Sequence, residues 1–372
     1  MKAQRDVSAA GFLRRGAPRV RPQKLGKARR AGGKEPRRNI ARPTPPRARG
    51  AALITALLIA ALAAVMVSGM FWHQWAAISR EQTAKQATQA RWILRGAVDW
   101  ARLILREDAR NSSVDTLSEP WAVPLAESRL STFLAARGQS TASLPDAWLE
   151  GHITDAQSRF NLADLAPNGQ PDPNAQAALQ RLCATLGVAG SVADTIASGI
   201  ALAQASNQPS TPAAPASPPG AAAPSTTLPL RGLQDLARLS PEVAQALPAL
   251  APYVTLLPQP TPLNANTADA TTLAAVLDIS ADAAARLVQS RKTAYFRNTG
   301  DIGTALGTQA KPNLDPMLVG VSSGFFEATA RVRIDRFEYA ERVLIQRVGL
   351  ITQVLRMQRV PPWMAAARPS AS

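Results

Sequence analysis

The side chains that most often carry catalysis are sparse in this sequence. A single cysteine, Cys183, leaves no disulfide partner and no CxxC pair for zinc or redox chemistry. Its two histidines, His73 and His152, lie too far apart in sequence to make a local metal motif. There is no GxSxG nucleophile turn, GK[ST] phosphate loop or GxGxxG fingerprint, and Gly300, Gly303 and Gly307 have the wrong spacing for the last. The composition therefore points away from an enzyme. What the sequence does offer is a substrate for someone else's chemistry. In Arg47-Ala48-Arg49-Gly50-Ala51-Ala52-Leu53-Ile54, basic residues lead to a glycine that is followed at once by an apolar run. An unbranched backbone at Gly50 suits a peptidase working at a membrane face on the cytoplasmic side. An uncut anchor is the alternative. A cleaved secretory signal is disfavoured by an apolar run longer than the usual 7–15 residues with no A-x-A site after it.

The element that must present this junction is the apolar run itself. No residue between Arg49 and Arg80 is formally charged, and from Ala51 to Met70 only Thr55, Ser68 and Gly69 fall outside the strongly apolar set. Twenty residues of helix cover a hydrocarbon core of about 30 Å. Phe71, Trp72 and Trp75 follow, where amphipathic rings favour the headgroup zone. A transmembrane helix over 51–75 is expected. Small residues at Ala56, Ala60 and Ala64 would let a partner helix approach closely in lipid.

Net charge is +16, but residues 1–49 hold 16 basic groups against two acids, Asp6 and Glu35, leaving 26 basic and 24 acidic residues for the rest. The charge sits in a leader (1–50) and not on a folded basic face, which argues against nucleic acid as a partner. By the positive-inside rule the leader stays cytoplasmic and everything beyond Arg80 is exported.

Beyond the membrane the helix is expected to continue to about Arg110, with Trp92, Gly96, Trp100, Leu103 and Glu107 marking its inward stripe and Ile93, Ala97 and Ile104 flanking it. Trp121–Arg137 reads as helix, and 151–162 as a strand that turns at Asn161. Two short helices follow, Ala175–Gly187 and Ser191–Ala203. The run 207–229, nearly all Pro, Ala, Ser, Thr and Gly, cannot bury enough surface to order itself. Helices are expected at Leu230–Leu239, Pro241–Leu247, Asp269–Leu277 and Ala281–Lys292. From Phe326 to Ile334 apolar and polar residues alternate with period two, and Glu338–Val348 and Leu350–Val360 supply two more strands of an antiparallel meander, before Pro361-Pro362 ends the order.

The junction at Gly50 and the apolar helix after it resemble the prepilin-peptidase site of type IV pilins and type II secretion pseudopilins. Most of that family has Glu at the fifth mature position; counting from Ala51, Thr55 stands there. Absence of that acid, together with Arg159-Phe160-Asn161-Leu162 and Asn264-Ala265-Asn266-Thr267-Ala268, resembles the minor pseudopilin K family of type II secretion. The resemblance implies an α+β pseudopilin fold: a long N-terminal transmembrane helix on a small antiparallel sheet, with an inserted all-helical domain containing a helix-hairpin-helix/SAM-like unit. It divides the chain into a leader (1–50), the membrane helix (51–75), a body (76–162 and 320–360), an inserted helical domain (163–319) and a disordered tail (361–372). It further implies an inner-membrane protein with an exported C-terminal domain, processed by prepilin peptidase, sitting at the pseudopilus tip with minor pseudopilins I and J and having no catalysis of its own. The family's calcium site is not carried over: no acid lies between Asp194 and Asp235, and calcium needs six or more hard oxygens. No cofactor is expected. The competing reading, a bitopic protein that binds DNA through the helix-hairpin-helix unit, meets an acid at Asp278 where the hairpin Asp278-Ile279-Ser280 should offer a glycine amide to phosphate.

Overall fold

The computed structural model describes residues 49–135, 146–207, 229–307 and 311–365. The leader to Ala48, the centre of the Pro/Ala-rich run and the last seven residues lie outside these. The chain divides into two units, Met1–Gly69 and Met70–Ser372.

Helix α1 (Arg49–Asn111) is 63 residues long. It contains no proline, so nothing in it interrupts the backbone ladder. Next come β1 (Leu125–Arg129) and the short α2 (Leu130–Ala135), in place of the single helix expected over Trp121–Arg137. Pro124 breaks that stretch, and β1 finds a partner in β2 (Ala147–Asp155). The chain then leaves the sheet through a 3-10 turn and enters a helical region bounded by small strands: β3 (Phe160–Asn161), α3 (Pro173–Thr185), α4 (Gly190–Asn207), α5 (Pro241–Leu250), β4 (Val254–Thr255), β5 (Leu263–Asn264), α6 (Ala270–Leu277), α7 (Ala281–Thr293), α8 (Thr299–Leu306) and β6 (Val319–Gly320). The short helix expected over Leu230–Leu239 is a 3-10 helix, Leu233–Arg238. The meander of β7 (Phe325–Ile334), β8 (Phe337–Val348) and β9 (Ile351–Val360) follows. Order does not stop at Pro361: Pro362–Ala365 forms a last helical turn, α9, packed on β7 and β8 with Ala365 buried.

The sheet is antiparallel throughout in the order β1-β2-β7-β8-β9. Strands β2 and β7 are distant in sequence yet pair without a slip from Ala147↔Ile334 to Asp155↔Phe326. At the centre of this ladder a Cβ on Gly151 would meet the Thr329 carbonyl oxygen at 2.9 Å, so only glycine fits. The helical region joins the sheet through two crossings, 155–160 outward and 320–325 back.

Alternation places Phe326, Ala328, Val332 and Ile334 on one face, and there α1 packs. The buried stripe of α1 is Ala90, Leu94, Val98, Ala101, Leu105 and Asp108, rotated from the expected one. Trp92 is 68% exposed and Leu103 40%, and Gly96 faces open space. Trp121 closes this core edge-on to Phe326, ring centroids 5.3 Å apart. On the opposite face Phe325 and Leu344 meet Leu257 of the helical region. That region has its own core, in which Phe160, Leu179, Leu182, Ile196, Leu273 and Leu287 are buried.

Candidate functional site

The expected processing and assembly residues all fall on the first turns of α1. Gly50 and Ala51 lie in its first turn, where backbone amides have no intrahelical acceptor. Thr55 turns its hydroxyl back onto the helix, donating to the carbonyls of Ala51 and Ala52, each at 3.0 Å. Its polar group is thus satisfied within its own helix and needs no partner in an apolar medium. Ala56, Ala60 and Ala64 recur every four residues and form one small-residue stripe, exposed like the leucines around them. From Leu53 to Trp75 the large apolar side chains are more than half exposed, which no water-facing helix of this length tolerates without a cover. Trp72 and Trp75 lie against each other at 5.6 Å at the far end. The helix is long and apolar enough to cross a membrane.

At the other end of α1 lies a charged cluster that no local pattern of residues announces. Asp108, Asp115 and Glu119 bring carboxylate oxygens within 4.8 Å of one another, a geometry that could hold a metal ion. A guanidinium already serves it: Arg347 of β8 donates to Asp108 Oδ2 at 2.8 Å, to the Ser323 carbonyl at 3.0 Å, and to Asp115 Oδ1. Glu119 in turn accepts from the Thr116 amide at 2.9 Å and the Trp121 indole at 2.8 Å. Burial, and then the neighbouring Glu119, push the Asp108 carboxyl up to about 6 against the pull of Arg347. The cluster works as a buried ion-pair node, with each oxygen pair already facing a donor.

The acids that bound the region where the family's calcium would sit are also engaged. Asp194 accepts from Gln180 at 3.0 Å, and Asp235 accepts from the amides of Arg231 and Gly232 at 2.8 and 3.1 Å. Both acids thus already serve donors of their own chain, whereas calcium asks for six or more hard oxygens. Thermal melts of the full chain in EDTA and in excess calcium should therefore coincide. A tight site at 100 times its dissociation constant would add about 2.7 kcal/mol, so a rise of several degrees would overturn this expectation.

In the helical pair, Asp269 and Ser280 cap α6 and α7. Asp278 takes the left-handed position between them, φ 56°, the place a hairpin glycine would take, and its carboxylate lies 3.5 Å from Arg181. Arg291 spends its guanidinium on the carbonyls of Ala265 and Ala268, at 2.7 and 2.5 Å, and burial lowers its pKa to about 10. Both arginines bind the protein's own backbone or acid in this unit.

A long apolar helix that packs its outer half on an antiparallel sheet, with a helical domain inserted between sheet strands, is the architecture of a pseudopilin. Residues 158–259 and 263–322 match the two domain families described as Type II secretion system (T2SS), protein K. A protein of Pseudomonas aeruginosa named Type II secretion system protein K is 27% identical over 295 residues, covering 77% of this chain and 84% of that protein. In the crystal structure of the GspK-GspI-GspJ complex from the enterotoxigenic Escherichia coli type 2 secretion system, one chain has the same fold. Its TM-score is 0.56 at 22% identity, over 76% of this chain and 99% of that one. The chain belongs to the type II secretion system protein K family. It is a minor pseudopilin, a structural subunit of protein secretion.

Proposed function

We propose that this protein forms the tip of a pseudopilus and caps it, with no catalysis of its own. It would be anchored in the inner membrane by residues 51–75, with the leader (1–50) in the cytoplasm and all that follows exported. Prepilin peptidase would release the leader at Gly50. The partners in this reading are minor pseudopilins I and J, which share the complex named in the structural relative. The observation that carries it is the placement of a helical domain between Asp155 and Phe325, on a body whose apolar helix has Thr55 at its fifth mature position. Such a domain would obstruct a further subunit stacking above. A topmost subunit likewise has no neighbour above for a fifth-position carboxylate to contact. The division into leader, membrane helix, body (76–162 and 320–360), inserted domain (163–319) and tail (361–372) belongs to the same reading.

The membrane half of α1 is then left to meet partner helices in lipid, where the stripe Ala56, Ala60, Ala64 sets the distance of approach. Ala60→Phe and Ala64→Phe should each reduce capture of I- and J-type pseudopilins by the full-length protein by about tenfold, the equivalent of ~1.4 kcal/mol. Membrane insertion, followed by alkali extraction, should not change. Undiminished capture by both variants would move the contact to the exported domain.

A further inference from the structure

The motif Asn264-Ala265-Asn266-Thr267-Ala268 has no role in the membrane helix, and its side chains do not face outward: Asn264 is fully buried, Asn266 and Thr267 nearly so. What they reach is the end of the sheet. A single oxygen of Asp155, at the last position of β2, accepts three hydrogen bonds, from Asn264 Nδ2 at 3.0 Å, Thr267 Oγ1 at 2.5 Å and Ser323 Oγ at 2.6 Å. Its other oxygen accepts from the Gln157 amide at 2.7 Å. Asn264 donates further to the Asp115 carbonyl at 3.0 Å and the Ser323 hydroxyl at 2.9 Å. Asp115 Oδ2 receives the Ser323 amide at 2.7 Å, and Arg347 ties Asp115 to Asp108 of α1.

We infer that Asp155 and the Asn264–Ala268 motif form a latch that fixes the inserted helical domain in one orientation on the sheet body. Asp155 stands where the chain leaves the sheet, Ser323 where it returns, and Asn264 in the inserted domain between them. One carboxylate therefore pins both crossings and the domain they carry. Without it the domain would hang on two connecting segments, on the contact of Leu257 with Phe325 and Leu344, and on the bonds from Gln157 to the Pro262 carbonyl and from Arg356 to the Arg231 carbonyl. Its own core, which includes Leu179, Ile196 and Leu273, also buries Ala265 and Ala268 of the motif but not the side chains of Asp155, Asn264 and Thr267, so the polar bonds can be removed with the apolar packing left in place. Four donors around a buried carboxylate also satisfy it almost completely, which makes the arrangement directional in a way that apolar contact is not. Asn266 extends it by fastening the connection between α7 and α8 to the same loop, through the Phe296 carbonyl at 2.9 Å and the Phe296 amide at 2.8 Å.

The test uses the full chain in detergent with Cys183→Ala and two spin labels, at Gln289→Cys on α7 and Gln353→Cys on β9, both exposed positions. Pulsed electron–electron distance measurements should give one narrow distribution for this background. Asp155→Ala should at least double its width, and Asn264→Ala should broaden it too, while Thr185→Ser on the outer side of α3 should leave it unchanged. Hydrogen exchange at Leu179, Ile196 and Leu273 should remain slow in the broadened variants. A narrow distribution in both Asp155→Ala and Asn264→Ala would overturn the latch. Broadening accompanied by loss of protection in the helical core would overturn it as well, because the residues would then hold the domain's fold and not its orientation. Should Asp155→Ala fail to fold, Asn264→Ala together with Thr267→Val decides by the same two readouts.

Discussion

Replacing Arg347 by leucine should lower the stability of the protein by about 3–5 kcal/mol at neutral pH, the usual cost of leaving a buried charge without its partner. The side chains of Arg347, Asp108 and Asp115 are 9%, 4% and 1% exposed, so water cannot take over what the guanidinium does. Arg347 also bonds the carbonyls of Leu105 and Ser323 and lies 4.7 Å over the Phe326 ring, so one substitution loosens α1, the return crossing and β8 together. Arg347→Lys should lose less, keeping the charge but not the two-armed geometry. The defect should depend on pH in a defined direction. Asp108 and Asp155, each pushed up to about 6 chiefly by burial, favour the folded state when protonated. Their contribution is complete below the ordinary carboxylate value of about 3.9 and is lost as pH rises through 6. Without Arg347 the two acids beside it lose the cation that is bonded to both, and Asp108 moves up further. The variant's deficit should then shrink as the pH falls from 7 to 5. Urea unfolding of the full chain at both pH values reads this, and an equal deficit at both would show that Arg347 acts through packing alone.

Much of the fold was legible because it is written in local periodicity. The period-two alternation from Phe326 to Ile334 lies within β7, and the paired helices α6 and α7 begin and end within a residue of the expected Asp269–Leu277 and Ala281–Lys292. The errors share one physical origin, which is that partners distant in sequence outweigh local preference. Trp92 and Trp100 made one side of α1 look like its core face. The sheet instead takes the side with Ala90, Val98 and Ala101, whose small side chains let helix and sheet approach closely, and leaves Trp92 exposed. Strand β1 is short and carries Glu127 and Arg129 in five residues, so its sequence has no strand signature. It exists because β2 offers it a free edge, and its charges find Arg333, 3.0 Å from Glu127, and the Trp148 ring.

The candidate sites divide in the same way. The junction at Gly50 and the stripe of Ala56, Ala60 and Ala64 are contiguous features, readable from neighbouring letters. The polar node is not: Asp108, Asp155, Asn264, Ser323 and Arg347 come from five separate parts of the chain, and only the fold brings them together. Asn264-Ala265-Asn266-Thr267-Ala268 could be picked out as a motif. Its use, to receive a carboxylate from the sheet, could not be seen until β2 was paired with β7 and its end located.

Processing should depend on Gly50 more steeply than on any residue beside it. The structure places Gly50 within the first turn of α1, so a peptidase that needs extended backbone has to unwind that turn before it can cut. Two properties make the unwinding easy. First-turn amides have no intrahelical acceptor to lose, and glycine is about 1 kcal/mol poorer than alanine as a helix former. Gly50→Ala should slow cleavage by stiffening the turn, while adding only one methyl group at the cut. Gly50→Val should abolish it, because a branched side chain then stands at the scissile bond itself. Thr55→Val, which removes only a hydroxyl already bonded within the helix, should leave cleavage unchanged. N-terminal sequencing of membrane-extracted protein gives the answer: Ala51 as the first residue in wild type and Thr55→Val, and the leader retained in Gly50→Val. A wild-type protein that keeps its leader in cells making prepilin peptidase would remove the processing step altogether. Normal cleavage in Gly50→Val would place the recognised bond elsewhere along the run from Arg47 to Ile54.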